Sequence, residues 1–455
     1  MIDQTHDLQL RSWVGSANDA ASDFPVQNLP LGMFRRAGSE ERFRACVAIG
    51  DFVLDLGDLR VASLLTEIEP WRAALTAHAS LNAFMAAGRP ALKALRRGLS
   101  RVLREGFSQQ DALSGSLIAQ ADAEFTVPAQ IGDFSDFYCS IHHALRVGKL
   151  FRPDNPLLPN YRWLPVGYHG RSSSIRITGG TVRRPAGQVI DPGPGAPAYG
   201  PCRRLDYEAE LGFFVGAGNA LGQPIPIDEI EDHLFGVCLL NDWSARDIQA
   251  WEYQPLGPFL AKSFATTLSP WIVTFDALEP YRRAHRRPDG DPAPLPHLSS
   301  STDSTRGAID IKVDVYMQSA RMAAAGVAPF RLSSSTYADS YWTLAQVVAH
   351  HASNGCNLQP GDLLGSGTLS GPGVQSCACL LELTEGGRSP VVLPTGETRS
   401  FLEDGDTLIL RGYCEAEGFA RIGLGACQAT VLGSVPTRLD PDHARHSPGE
   451  AASVA

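Results

Sequence analysis

The sequence predicts a mostly β chain with some helix, divided into a small first domain and a larger second one, and three observations carry that expectation. At 455 residues the chain is about three times the length usual for one domain. Helical periodicity is concentrated between Val61 and Gly106. Beyond Pro128 the text turns Gly-rich and strand-like nearly to its end.

From Phe24 to Leu59, short apolar runs alternate with Gly and Pro, as in NLPLGMF and ACVAIGDFVLDLG, which predicts short strands joined by turns. LLTEIEPWRAALTAH, LNAFMAAG and ALKALRRGLSRVLREG then place apolar residues three and four apart with basic residues opposite, the pattern of amphipathic helices. A connection around Pro128 to Asp133 sets the boundary near residue 125, giving domains 1–125 and 126–437. Within the second domain, Pro185 to Pro201 and Arg282 to Thr305 are rich in Pro, Gly and Ser and are expected to be loops. Residues 438–455 are polar and small, the composition of a disordered tail without chemistry.

The composition, 44% hydrophobic and 19% charged, is that of an ordinary globular protein. A formal charge of −10, from 39 basic and 49 acidic side chains, argues against a nucleic-acid partner, which calls for a basic stripe. The opening MIDQTHDLQLRSW lacks the pattern of a signal peptide, and no run of ~18 apolar residues could span a bilayer, so a cytoplasmic protein without a membrane partner is expected. Nine scattered cysteines without a CxxC pair read as reduced, mostly buried thiols; Cys377 and Cys379 form the one close pair. There is no GxSxG elbow, HExxH, Walker A loop or GxGxxG, since GAGNALG after Val215 has the wrong spacing.

What remains is a set of carboxylates in apolar text. Glu208 and Glu210 in LDYEAELGFFVG stand two apart, so a strand would aim both at one face, where two like charges need a cation. In FGVCLLNDWSARDIQAWEYQPLGP the apolar run predicts a strand ending at Asn241 and a helix from Asp242, which would align Asp242, Arg246, Gln249 and Tyr253. In GDFSDFYCSIHHALRVGKLFR a helix from Asp136 to about Gly148 would put His143 on the Asp136 side. Four acids without cysteine or paired-histidine spacing suit a hard cation such as Ca²⁺, Mg²⁺ or Mn²⁺. Blander readings exist for each residue. Glu-x-Glu is more often a solvated sheet face, Asp136 and Asp242 could cap helices, and His143 could be structural. Lys262 in PFLAKSFATTLSPW could sit at a solvent-facing strand end. Local pattern alone leaves the function open.

The same segments carry something more specific. DFPVQNLPLGMF, DFSDFYCSIHHALRVGKLFR, LPVGYHGRSSS, RRPAGQ, LDYEAELGFFVG, LNDWSARDIQAWEYQPLGPFLAKSFATTLSPW, HHASNGCNLQPGDLLGSGTLSGP and LEDGDTLILRGYC together resemble the fumarylacetoacetase family, in order from Asp23 to Leu432. The resemblance implies a small SH3-like N-terminal barrel, a larger C-terminal mixed β-roll, and a homodimer formed largely through the latter. It implies hydrolysis of a carbon–carbon bond in a small diketo acid, with Asp136, Glu208, Glu210 and Asp242 as ligands of a divalent metal, Ca²⁺ or Mg²⁺ with Mn²⁺ as an alternative. His143 falls on the family's base and Glu382, in LLELTEGG, on the acid that orients it. Arg246, Gln249 and Lys262 match oxyanion-stabilising groups, and Tyr138, Arg152, Tyr168, Tyr253 and Thr368 match substrate-holding positions. A second cation site falls on Lys262, Ala265 and Thr266, with alanine where the family has glycine. His142 beside His143 is a further departure. Two other readings stand beside this one: another activity of the wider superfamily, such as an acylpyruvate hydrolase or a 2-oxo-acid decarboxylase or isomerase, and a non-catalytic binding protein on the same fold.

Overall fold

The computed structural model describes residues 2–190 and 195–435. The expected tail 438–455 lies outside them. The N-terminal part holds one five-stranded antiparallel sheet, in the order Leu117–Ala119, Phe52–Asp55, Arg44–Ile49, Leu31–Arg36, Ala123–Thr126. Several short helices and the long helix Gly88–Leu103 stand beside it. Its Pro90 lies in the first turn, where no intrahelical N–H bond is lost. Leu92, Leu95, Leu99 and Val102 follow at three- and four-residue spacing and are buried. Arg96 is buried on the same helix and satisfied, its guanidinium donating to Thr5 Oγ1 (2.9 Å), Asn28 O (3.0 Å) and Gln27 O (2.7 Å).

The larger part is built on two sheets. The first has eight strands, in the order Gly167–His169, Phe134–Phe137, Leu363–Gly365, Ala209–Val215, Leu234–Asp242, Thr266–Leu268, Ile175–Ile177, with Val273–Thr274 also pairing to Leu234–Asp242. Its strand Leu234–Asp242 is buried at every position, which is why its sequence reads as a continuous apolar run and not as an alternation. The second sheet runs Phe330–Thr336, Lys312–Gln318, Thr407–Cys414, Ile422–Leu432, Thr181–Arg183. The chain therefore has N- and C-terminal parts with mixed sheets, and with about as much helix as strand rather than a mainly β content.

Alternation along Ala209–Val215 decides what each face of the eight-stranded sheet meets. Leu211 and Phe213 join Leu239, Val313, Leu410 and Leu424 in the core between the two sheets. Phe214 points the other way and packs with Phe235, Leu240 and Leu268 against Leu92, Leu95 and Leu99 of the N-terminal part. Each such side chain contributes ~1.5–3 kcal/mol when fully buried. The N-terminal part is thus the second cover of the sheet that carries the acids.

Two expected loops contain regular structure. Ala186–Val189 and Ala198–Pro201 pair as an antiparallel hairpin within Pro185–Pro201. The stretch Arg282 to Thr305 begins with a strand pair to Ala308–Ile309 and ends in the helix Ser301–Arg306, capped by Ser300. In both places tertiary partners order a composition that looks irregular by itself. Among the described residues no helix is long and apolar enough to cross a membrane.

Candidate active site

Two of the expected helix starts are strand ends. Asp136 lies in Phe134–Phe137, paired with Gly365 on one side and Tyr168 on the other. The helix comes later, Ile141–Phe151, because Ser140 is the cap: its Oγ accepts from His143 N (3.2 Å) and donates to Ser370 O (2.5 Å). Asp242 is the last residue of Leu234–Asp242, paired with Thr266, and the following helix is Arg246–Glu252. The helical faces that were to align Asp136 with His143, and Asp242 with Arg246, Gln249 and Tyr253, therefore do not exist. What gathers the acids is one edge of the sheet. Glu208 and Glu210 do share a face there, and both are buried rather than solvated.

Asp136, Glu208, Glu210 and Asp242 each offer a carboxylate oxygen, and these oxygens all lie within 4.8 Å of one another. Lys262 is buried among them and does not face solvent, its Nζ 2.5 Å from Glu208 Oε2 and 2.6 Å from Asp242 Oδ2. Arg246 Nη1 donates to Glu208 Oε1 at 2.7 Å. Two cationic groups against four carboxylates leave the cluster negative. Burial and the neighbouring acids accordingly raise the Glu210 and Asp136 carboxyls, and burial raises Asp242 despite Lys262. Glu208 alone is lowered: burial pushes it up, but Lys262 and Arg246 outweigh that.

Three features show that the cluster fits a hard cation. Its donors are all carboxylate oxygens. Glu210 Oε1 is buried without a hydrogen-bond partner. Gly365 keeps the space open, since a Cβ there would lie 2.3 Å from Asp136 Oδ1 and 3.1 Å from Glu210 Oε2. Gly367, at φ +72°, closes the same corner: its N–H donates to Glu210 Oε2 (3.0 Å) and Asp136 Oδ1 (3.2 Å).

Beside this cluster, His143 Nδ1 sits 2.6 Å from Glu382 Oε2. That oxygen also accepts from Ser370 Oγ (2.5 Å) and Cys379 Sγ (3.2 Å), and Arg146 Nη1 reaches Oε1 at 3.3 Å. Burial works to raise the Glu382 carboxyl, but the His143 imidazole and these hydrogen bonds prevail and hold it at about 2. His143, Cys379 and Glu382 bring three ligand-type atoms together, yet burial pushes the Cys379 thiol well up, so it serves as a donor to Glu382 and not as a thiolate ligand.

A cavity of about 350 Å³ joins the two clusters. Asp136, Glu208, His143, Arg246, Gln249 and Lys262 line it, as do all five expected substrate-holding residues, Tyr138, Arg152, Tyr168, Tyr253 and Thr368. Glu210, Asp242, Thr266 and Glu382 are not part of its wall. Tyr168 Oη donates to Asp242 Oδ2 (3.0 Å), and Thr266 Oγ1 to Asp242 Oδ1 (3.1 Å). Tyr138 stands edge-on to His143 with centroids 5.1 Å apart. Arg246 Nη2, Arg152 Nε and Thr368 Oγ1 are buried without hydrogen-bond partners, a set of polar groups suited to a polar ligand. Val147, Phe151, Val166, Ala250 and Leu256 supply apolar wall. His142 is not in the wall; the charged groups around it are Asp339, Arg146 and Glu382. Asp206, Arg146, Ser370 and Cys379 were missed from sequence. Only Asp206 left a signal, being the first acid of the alternation Asp206, Glu208, Glu210.

Comparison with known proteins covers both parts of the chain. Residues 134–432 match the family described as fumarylacetoacetate (FAA) hydrolase C-terminal, and residues 27–128 match fumarylacetoacetase N-terminal. The fumarylacetoacetase of Bos taurus is 46% identical over 427 residues, covering 92% of this chain and 98% of its own. That of Homo sapiens is 45% identical over 429 residues, with 92% and 98% covered. That of Oryza sativa subsp. japonica is 44% identical over 434 residues, with 94% and 98% covered.

Proposed function

The chain belongs to the fumarylacetoacetase family, and from that premise we propose that it hydrolyses the carbon–carbon bond of fumarylacetoacetate, giving fumarate and acetoacetate in the breakdown of tyrosine and phenylalanine. The observation that carries this reading is a buried His143–Glu382 pair opening on the same cavity as a buried four-carboxylate cluster.

Asp136, Glu208, Glu210 and Asp242 would hold a divalent cation, Mg²⁺, Ca²⁺ or Mn²⁺, which when bound supplies Lewis-acid polarisation of the diketo oxygens. His143 takes the proton of the attacking water on Nε2, because Nδ1 faces Glu382 and is fixed there as the protonated nitrogen. Glu382, ionised at neutral pH, stabilises the imidazolium that results. Attack on the carbonyl creates a tetrahedral oxyanion, and Arg246, Gln249 and Lys262 are the donors lining the space where it forms. Such a donor contributes ~2.7–4 kcal/mol in comparable acyl-transfer sites. The departing acetoacetate carbanion regains the proton from His143. Tyr138, Arg152, Tyr168, Tyr253 and Thr368 hold the carboxylates and carbonyls, and the apolar wall takes the olefin.

The same reading makes the N-terminal sheet an SH3-like barrel and the larger part a β-roll, with the boundary near residue 125. It gives a homodimer, supported by the exposed Trp251, Leu256 and Phe259, and a cytoplasmic location, supported by nine free cysteines. A second cation at Lys262, Ala265 and Thr266 is retained, although Lys262 and Thr266 both bond acids of the first cluster. Purified protein incubated with fumarylacetoacetate, with and without chelator, should yield fumarate and acetoacetate in equal amounts only without it. Unchanged substrate in both arms overturns the assignment.

A further inference from the structure

Asp206 has no role in the mechanism above, yet it is fully buried and makes four hydrogen bonds. Its Oδ1 accepts from Tyr207 N (2.9 Å) and Leu380 N (2.8 Å), and its Oδ2 from Leu381 N (2.9 Å) and Arg246 Nε (2.9 Å). Two of these partners bear on separate catalytic groups. Leu380 and Leu381 open the turn Leu380–Leu383 that carries Glu382, and the residue before it, Cys379, offers no side-chain cap. Arg246 is one of the three oxyanion donors proposed above. We propose that Asp206 is a positioning residue that sets the orienting acid of the base pair and the oxyanion donor in one register; this rests on the catalytic roles proposed for Glu382 and Arg246.

Local strand pairing puts Asp206 there. Leu205–Asp206 pairs antiparallel with Ser244–Ala245, with Asp206 opposite Ser244, and Arg246 N donates to Arg204 O at 3.0 Å. The guanidinium is then gripped on two edges, Nε by Asp206 and Nη1 by Glu208 (2.7 Å) and Gln249 Oε1 (3.1 Å). Rotation is blocked, and Nη2, the nitrogen left without a partner, remains for the substrate. On its other side the same carboxylate fixes the height of the Glu382 turn, and the 2.6 Å contact with His143 depends on that height. A displacement of about 1 Å in such a constellation can cost about 10²-fold in rate.

The test is Asp206→Asn, which keeps the shape but replaces one acceptor oxygen by an NH₂ that must face N–H donors. The expected result is a kcat lower by about 10²-fold with KM within about threefold, because substrate-holding groups are untouched while the reacting groups lose register. Combined with Arg246→Lys, which already lacks the Nε edge, Asp206→Asn should cost at least about tenfold less than it does alone. Wild-type kcat in Asp206→Asn, or simple multiplication of the two losses, overturns the proposal. Should Asp206→Asn fail to fold, Asp206→Ser assayed with added formate replaces it: formate should return part of the lost kcat, and no response overturns the proposal. If the wild type itself does not cleave fumarylacetoacetate, the assigned activity fails. If the wild type cleaves it and His143→Gln does not, but Asp206→Asn behaves as wild type, only the role of Asp206 fails.

Discussion

The acid cluster and the His143–Glu382 pair are both buried and reach one cavity, the first through Asp136 and Glu208 and the second through His143, and they are opposite in how their charge is satisfied. Glu382 faces an imidazole, a hydroxyl, a thiol and a guanidinium, and its carboxyl is held at about 2. Glu210 and Asp136 face other acids, and their carboxyls are pushed up. The pair is complete as the chain folds. The cluster is incomplete by itself: its acids outnumber the cations beside them, an excess that protons or a cation offset, and its all-oxygen donor set suits a hard cation.

The largest expected effect tests that incompleteness directly. Treatment with EDTA followed by removal of the chelate should leave folded protein without measurable activity, and Mg²⁺, Mn²⁺ or Ca²⁺ should restore it. Full turnover in rigorously metal-free protein would break the contrast. Next comes the complete half: His143→Gln should lower kcat by about 10² to 10⁴-fold while cation affinity, measured by calorimetric titration, stays at the wild-type value. Asp242→Asn should do the reverse, weakening cation affinity by at least about tenfold, with activity substantially recovered at saturating cation. Equal recovery of His143→Gln by excess cation would merge the two regions into one. The smallest effect is that of His142→Gln, expected within about twofold of wild-type kcat, since its ring is absent from the cavity wall.

How far the site was legible depended on how local each signal was. The alternation that put Glu208 and Glu210 on one face is a property of neighbouring residues, and it survives in the structure. FSDFYC and NDWSARD are too short for periodicity to separate strand from helix, which is why the helices expected at Asp136 and Asp242 prove to be strands. Their strand state is decided by Gly365, Tyr168 and Thr266, partners remote in the chain. The helical register expected to put His143 on the Asp136 side does not exist, and His143 reaches the cavity from the helix Ile141–Phe151 that Ser140 caps. Glu382 had no local signal, since LLEL reads as an apolar helical turn; only the family resemblance reached it. The long-range architecture was the least legible. Helical content was underestimated because tertiary packing sustains short helices whose own periodicity is weak.

Sharing a sheet face has a consequence for anyone who would pare the chain down to a minimal catalyst. The face that ends in Glu208 and Glu210 is the face that holds Phe214 against Leu92, Leu95 and Leu99. A fragment beginning near residue 126 would bare Phe214, Phe235, Leu240 and Leu268 to water, and the sheet would meet other copies of itself before it met substrate. Modularity ends where this sheet begins: the first hundred residues can be replaced by another apolar cover or re-surfaced position by position, but not simply cut away.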